Sequence, residues 1–313
     1  DFAPENGAIG IIGAGSLGRL WAGYLPPGST IFLSRAAGEN GEDALLAQKN
    51  MLHYDLHFPN GSGKSCSVPL RPITQAQPSL LLVTTKAGDT PRALEQLLSQ
   101  LDKTVPLVLF QNGLGCQQAI ADRWPDRPVL AASTTEGANR PEDSIVVHAG
   151  QGETWVGNLT AAGLPWVAST VQRLSASGLV VHSERDIHQR LWDKLVVNAG
   201  INAFTAILDC CNGQIRTDPF FLEYIDPLSN EISAVMATEV RRALSPKAIR
   251  ERIEAVATRT ATNTSSMRSD CQRHRKTEIN VINGYIVARG QLKGIATPVN
   301  QMLIRRVKEM TSD

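Results

Sequence analysis

The sequence predicts two domains: an α/β N-terminal domain built on a parallel sheet, then an all-α C-terminal domain. Three observations predict this. Short apolar runs recur through the first half of the chain, each the length of a strand buried on both faces. The first of them runs straight into GAGSLG, which opens a helical pattern. After Ser183 the strand signal stops, and from Asp186 onward apolar residues return at helical intervals. The boundary follows: residues 1–184 form one domain and 185–313 the other. A length of 313 residues suits two domains.

Composition excludes several function classes. An apolar fraction of 42% supports full cores, and 19% charged residues argues against disorder. A net charge of +1 gives no electrostatic footprint for nucleic acid or an anionic membrane. No apolar run approaches the ~20 residues of a membrane span. The opening DFAPENGA does not read as a signal peptide. The five cysteines are odd in number and form no CxxC pair, which points to reduced thiols, no metal site and a cytoplasmic protein.

Taken in order, Ala8–Ile12 is a short strand, and a helix follows from Ser16 to Tyr24. Between them Gly13, Gly15 and Gly18 have G-x-G-x-x-G spacing. The first glycine allows the tight turn. The second lets the backbone approach a pyrophosphate, and the third lets helix and strand pack closely. Gly13, Ala14, Gly15, Ser16, Leu17 and Gly18 are therefore candidate cofactor-binding residues of a Rossmann-type dinucleotide-binding domain. The next strand, Thr30–Leu33, ends in Ser34-Arg35. NAD-binding proteins place an acid there for the ribose 2′-hydroxyl, and this chain has none. Arg35 has the position and charge for a 2′-phosphate, so the expected cofactor is NADPH/NADP.

Leu52–Phe58 and Ser65–Ile73 read as strands around Asn60-Gly61-Ser62-Gly63. Leu80–Thr84 and Val105–Phe110 suit a parallel sheet, and they run into Lys86 and Asn112. Ligands of open α/β sheets bind beyond the carboxyl ends of strands, so Lys86 and Asn112 are site candidates. Val129–Ser133, Ile145–His148, Glu153–Val156 and Leu179–His182 read as further strands, and Leu164–Ala176 as an amphipathic helix.

In the second half, Asp186 and Gln189 give an N-cap signature before the apolar helix Leu191–Leu208. Lys194, Asn198 and Asn202 fall at i, i+4 and i+8 on one face of it. Such a polar line needs partners inside the fold. Either the lysine reaches solvent while the amides tie neighbouring loops, or the line meets a ligand. Pro219–Leu244, Pro246 to about Ala261, Thr277–Arg289 and Pro298–Met310 complete the helices. A cleft between two such domains is a usual place for a small substrate.

From the glycine loop IGAGSLG to the last helix, the chain resembles the ketopantoate reductase family. QNGLG resembles that family's HNGMG loop, and WDKLVVNAGINAFTAI its WxKLxxNxxINPLTA helix. NTSSMRSD and KTEINVINGY resemble its NxSSMxxD and TEIDxxNG segments. Gln111, Ala203 and Asn280 depart from the family's His, Pro and Asp, and none removes a group the chemistry needs. The resemblance implies hydride transfer from NADPH to the 2-keto group of ketopantoate, in pantothenate and coenzyme A synthesis. It implies Lys194 as the general acid and Glu278 as the carboxylate that orients it and binds the substrate hydroxyl. Asn198, Asn202, Ser266 and Asn112 are then substrate-binding residues, with Asn112 also beside the cofactor and Lys86 on the cofactor or the substrate side. The partner is a small 2-keto acid, with no nucleic acid and no membrane, and the protein a monomer or homodimer. The competing readings are a paralogue that reduces another 2-keto acid or forms an opine, and a non-catalytic NADP(H) redox sensor. If Ser266 and Glu278 share one small substrate, the helix must break between them, because one continuous helix would hold them about 18 Å apart. A new helix from Thr277 would then carry Glu278 in its first turn.

Overall fold

The computed structural model describes residues 7–34 and 50–311. The chain divides into two compact units. One comprises the residues up to Gln111 together with Cys116–Ile187, and the other comprises Asn112–Gly115 and His188 onward. The boundary expected from sequence lies at 184/185, with Asn112–Gly115 in the first domain.

The first unit begins with β1 (Ile9–Ile12), α1 (Ser16–Tyr24), β2 (Thr30–Ser34), β3 (Met51–His57), β4 (Gly63–Pro72) and the single turn α2 (Ile73–Ala76). It continues with β5 (Leu80–Val83), α3 (Thr90–Leu98), β6 (Leu107–Leu109), α4 (Cys116–Arg123) and β7 (Val129–Thr134). Then come β8 (Gly137–Glu142), β9 (Ile145–Gly150), β10 (Glu153–Asn158), α5 (Val167–Ser175) and β11 (Val180–Ser183). At the centre of the sheet the order is β4-β2-β1-β5-β6-β7, parallel throughout. The chain starts in the middle and builds outward on both sides, so the topological switch lies between β1 and β5. Alternate residues of these strands feed opposite faces, as the period of two requires. Leu80 and Leu82 join the core that contains Leu20 and Trp21 of α1. Leu81 and Val83 join the core that contains Leu94 and Leu97 of α3. With both faces covered, every residue of β1, β5 and β6 is buried.

At one margin β10 pairs antiparallel with β7, and β11 lies parallel to β10. At the other, β3 pairs antiparallel with β4, followed by β9 and β8. The sequence reading has no strand at β8. Its residues, GANRPE, include a proline and two charges and show no apolar alternation. Pairing with β9 across an irregular register makes it a strand.

The second unit is helical: α6 (Ile187–Leu208), α7 (Pro219–Met236), α8 (Pro246–Arg259), α9 (Ser266–Gln272), α10 (Asn283–Lys293) and α11 (Pro298–Thr311). Its core centres on Trp192, Phe204, Phe221, Ile225 and Ile232, all fully buried. Two expected helices are shorter than the sequence reading. The helix from Pro219 stops at Met236 and not at Leu244, because its apolar stripe ends at Val235. The chain then turns back, and the Ser233 hydroxyl donates to the Leu244 carbonyl at 2.7 Å. The helix expected from Thr277 begins only at Asn283, after a 3-10 turn over Ile279–Val281. No described helix is long and apolar enough to cross a membrane.

Candidate active site

The glycine loop sits at the carboxyl end of β1, beside the end of β5. Gly13 has φ +97°, and a Cβ there would lie 2.8 Å from the Thr84 carbonyl carbon and the Thr85 nitrogen. A Cβ on Gly18 would collide with the Gly13 carbonyl oxygen. The Thr84 hydroxyl closes this corner by donating to the carbonyls of Ile12 at 2.9 Å and Gly13 at 2.7 Å. Gly15 is different: a Cβ there would meet nothing within 4 Å. Two of the glycines are thus required by packing. The third leaves open space at the first turn of α1, where backbone N–H groups are unpaired by the helix itself. That cradle suits the pyrophosphate of a dinucleotide. Lys86 is exposed on the loop after β5, and Arg35 lies outside the described residues.

The helix line is built in the second unit. Lys194 Nζ donates to Asn112 Oδ1 at 2.8 Å. Lys194 keeps some solvent exposure along its length, but at the ammonium desolvation dominates. Burial lowers its pKa from 10.5 to about 8, against the negative charge of Glu278, which raises it. Asn198 is partly exposed on the same helix and Asn202 is buried.

The loop that carries Asn112 is held from both sides. Upstream, the Gln111 side chain is buried and donates to the carbonyls of Val83 at 2.8 Å and Thr85 at 3.1 Å. Downstream, Gly113 at φ +72° lies against the Val281 carbonyl, and the Leu114 N–H donates to that carbonyl at 2.9 Å. Val281 ends the turn that Glu278 starts. The short segment Asn112–Gly115 therefore joins the Glu278 turn and the Lys194 ammonium. The sequence reading missed the part played by Gln111. The pair of glycines at 113 and 115, both at positive φ, is the signal of a loop shaped to approach other backbone.

Between Ser266 and Glu278 the chain does break. Helix α9 ends at Gln272, and His274 takes φ +51°. The cap of α9 is Ser265, whose buried hydroxyl accepts from the Arg268 N–H at 3.0 Å and pairs with Thr205 Oγ1 at 2.7 Å. Ser266 is exposed. Glu278 does not occupy the first turn of an α-helix, which corrects the expectation from sequence. It precedes the 3-10 turn, and Thr277 Oγ1 accepts from the Ile279 N–H at 3.4 Å. Among the described residues no group of three or more His, Cys, Asp or Glu could hold a metal ion.

A doubly wound sheet with a glycine loop at its switch point, joined to a helical unit, defines the class of two-domain dinucleotide-fold proteins. Comparison with known proteins gives the family. Residues 9–161 match the model "Ketopantoate reductase PanE/ApbA", and residues 186–311 match "Ketopantoate reductase PanE/ApbA C terminal". The 2-dehydropantoate 2-reductase of Vibrio cholerae is 34% identical over 316 residues, covering 96% of this chain and 97% of the relative. Among solved structures, a D-mandelate dehydrogenase with NADH and anilino(oxo)acetate superposes with a TM-score of 0.86 at 24% identity, covering 97% and 98% of the two chains. A PanE/ApbA family ketopantoate reductase from Ralstonia eutropha JMP134 has a TM-score of 0.80 at 24% identity, with the same coverage. The chain belongs to the ketopantoate reductase family of oxidoreductases.

Proposed function

We propose that this protein is a cytoplasmic, NADPH-dependent 2-dehydropantoate 2-reductase that converts the 2-keto group of ketopantoate to the 2-hydroxyl of pantoate. The observation that carries the reading is the Lys194 ammonium, held at 2.8 Å by Asn112 and brought to a pKa of about 8 within a ketopantoate reductase chain. The open backbone at Gly15 fits the pyrophosphate of a dinucleotide. When bound, that cofactor supplies the hydride. The chain supplies the proton and the orientation.

Lys194 is the general acid. Negative charge develops on the substrate's 2-oxygen as the carbonyl is reduced, and the ammonium first stabilises that charge and then gives up a proton. A lysine near pKa 8 is mostly protonated at neutral pH, yet parts with its proton more readily than an ordinary lysine. Glu278 opposes the cost of burying the ammonium and accepts the substrate's distal hydroxyl. Asn198 and Asn202 fix the substrate along the helix face, and Ser266 binds its carboxylate. Asn112 holds the ammonium and the substrate carbonyl in register and serves the cofactor as well, with Lys86 adding positive charge on the cofactor side. Arg35 selects NADPH through the 2′-phosphate.

The test follows NADPH absorbance with ketopantoate, pyruvate and 2-ketoisovalerate as substrates. Ketopantoate is expected to give the highest kcat/KM, and Lys194→Ala to lose at least about 100-fold in kcat. Preference for another 2-keto acid would assign the chain to a different reaction of the same chemistry. Turnover of none of them, with NADPH bound, would favour a redox sensor.

A further inference from the structure

A guanidinium outside the glycine loop points at it. Arg140 lies on β8, and its Nη1 donates to the Ala14 carbonyl at 3.3 Å. Arg19, on the first helix, donates from Nε to the same oxygen at 2.7 Å. The Arg19 group is buried, lies 5.5 Å over the Tyr54 ring and also donates to the Asp143 carbonyl. Two positive charges thus converge on one backbone oxygen of the loop. They repel each other. Burial lowers the pKa of Arg19, and the charge of Arg140 lowers it further. Asp143 is a carboxylate beside this pair, 3.6 Å from Arg140, with its side chain 89% exposed and screened by water. Arg140 is itself partly open to solvent, with its side chain 23% exposed. Both guanidiniums thus reach the residue just before Gly15, whose Cβ direction is open, and an anion at that turn would relieve their repulsion.

We infer that Arg140 is a cofactor-binding residue whose guanidinium contacts the pyrophosphate of the bound dinucleotide, completing from β8 the cradle begun by the glycine loop. The inference rests on the dinucleotide reading given above. Ala14 lies between the two glycines that shape the pyrophosphate turn, so a group centred on its carbonyl is placed for the diphosphate and not for the adenosine end. Arg19 is the inner member of the pair: buried, it holds the loop through the Ala14 carbonyl.

The test is direct titration of NADPH and of NADH, read by tryptophan quenching, for wild type, Arg140→Ala, Arg140→Lys and Asp143→Asn at several salt concentrations. Arg140→Ala is expected to weaken both dinucleotides equally, by about tenfold or more, and to flatten the salt dependence. Arg140→Lys should fall between it and wild type, because a point charge replaces the planar fork. Asp143→Asn should tighten both, since it removes the competing carboxylate while leaving the backbone carbonyl that Arg19 uses. That opposite sign separates an anion contact from a merely structural role. Unchanged binding in Arg140→Ala overturns the inference. So does a loss confined to NADPH, which would put Arg140 on the 2′-phosphate, and so does an Asp143→Asn variant that weakens binding. If Arg140→Ala does not fold, the Lys and Asn variants decide. A wild-type protein that binds neither dinucleotide overturns the underlying reading, and this one with it.

Discussion

At the scale of single residues, the proposed chemistry turns on how the Lys194 ammonium is kept charged while buried. Desolvation lowers its pKa, and Glu278 pushes it back up. On the proposed reading the reduction needs the protonated form, so kcat is expected to be level below about pH 8 and to fall roughly tenfold per unit above it. Replacing Glu278 by Gln removes the raising charge, so the limb should move to lower pH. Asn112→Ala removes an acceptor that favours the charged form and should shift it the same way. A pH–rate series on the three proteins checks this, and a limb that stays in place in Glu278→Gln would remove the carboxylate from its role. The sequence made part of this legible. Lys194, Asn198 and Asn202 follow from helical spacing alone, and Asn112 from its place at a strand end. The bond between Lys194 and Asn112 was not legible, because it joins positions far apart in the chain. Nor was it legible that Ser265 caps the helix and that Ser266, the residue expected in the site, is exposed beside it.

At the scale of elements, the three glycines of one motif do different work. Gly15→Ala should leave thermal stability nearly unchanged, because its Cβ meets only open space, while weakening dinucleotide binding. Gly13→Ala and Gly18→Ala place a Cβ against backbone, and each should cost about 1–3 kcal/mol or more of stability. Thermal melts alongside titrations separate the two behaviours. A large loss of stability in Gly15→Ala would sink the assignment of that gap to the cofactor. A second device binds the last helix. The buried Glu231 carboxylate accepts from the N–H groups of Val299 at 2.6 Å and Asn300 at 3.0 Å, and from Asn300 Nδ2 at 2.8 Å. Helix α7 thereby supplies the negative charge that the start of α11 favours. Glu231→Ala leaves three buried donors unmatched and should destabilise the protein by about 2–4 kcal/mol, measured by denaturant melting. Periodicity found most helices and strands because burial wrote it into the sequence. It failed where long-range pairing decided: β8 has no strand pattern of its own. It also failed at Ile282, where φ −104° and ψ −95° interrupt a pattern that reads as one helix.

At the scale of the whole molecule, the groups assigned to cofactor and substrate come from segments spread along the chain, from Gly13 to Glu278. Family membership follows from matches that run nearly end to end. Substrate and cofactor choice do not, because they turn on a few side chains set on a common frame. On the proposed reading, cofactor choice in this chain turns on Arg35. It follows directly on Ser34, the last residue of β2, which neighbours β1 in the sheet. On the NADPH reading, Arg35→Ala should lose about 1.5–3 kcal/mol of NADPH affinity, the worth of a charge-assisted hydrogen bond, and leave NADH affinity almost unchanged. Arg140, on the pyrophosphate, should affect both cofactors alike. The two residues then act on separate phosphates of one ligand, and their effects on NADPH should add to within about 0.5 kcal/mol in the double variant. On NADH the double variant should behave as Arg140→Ala alone. Equal wild-type affinity for the two dinucleotides would remove Arg35 from its role. Strong non-additivity on NADPH would mean that both guanidiniums share one phosphate.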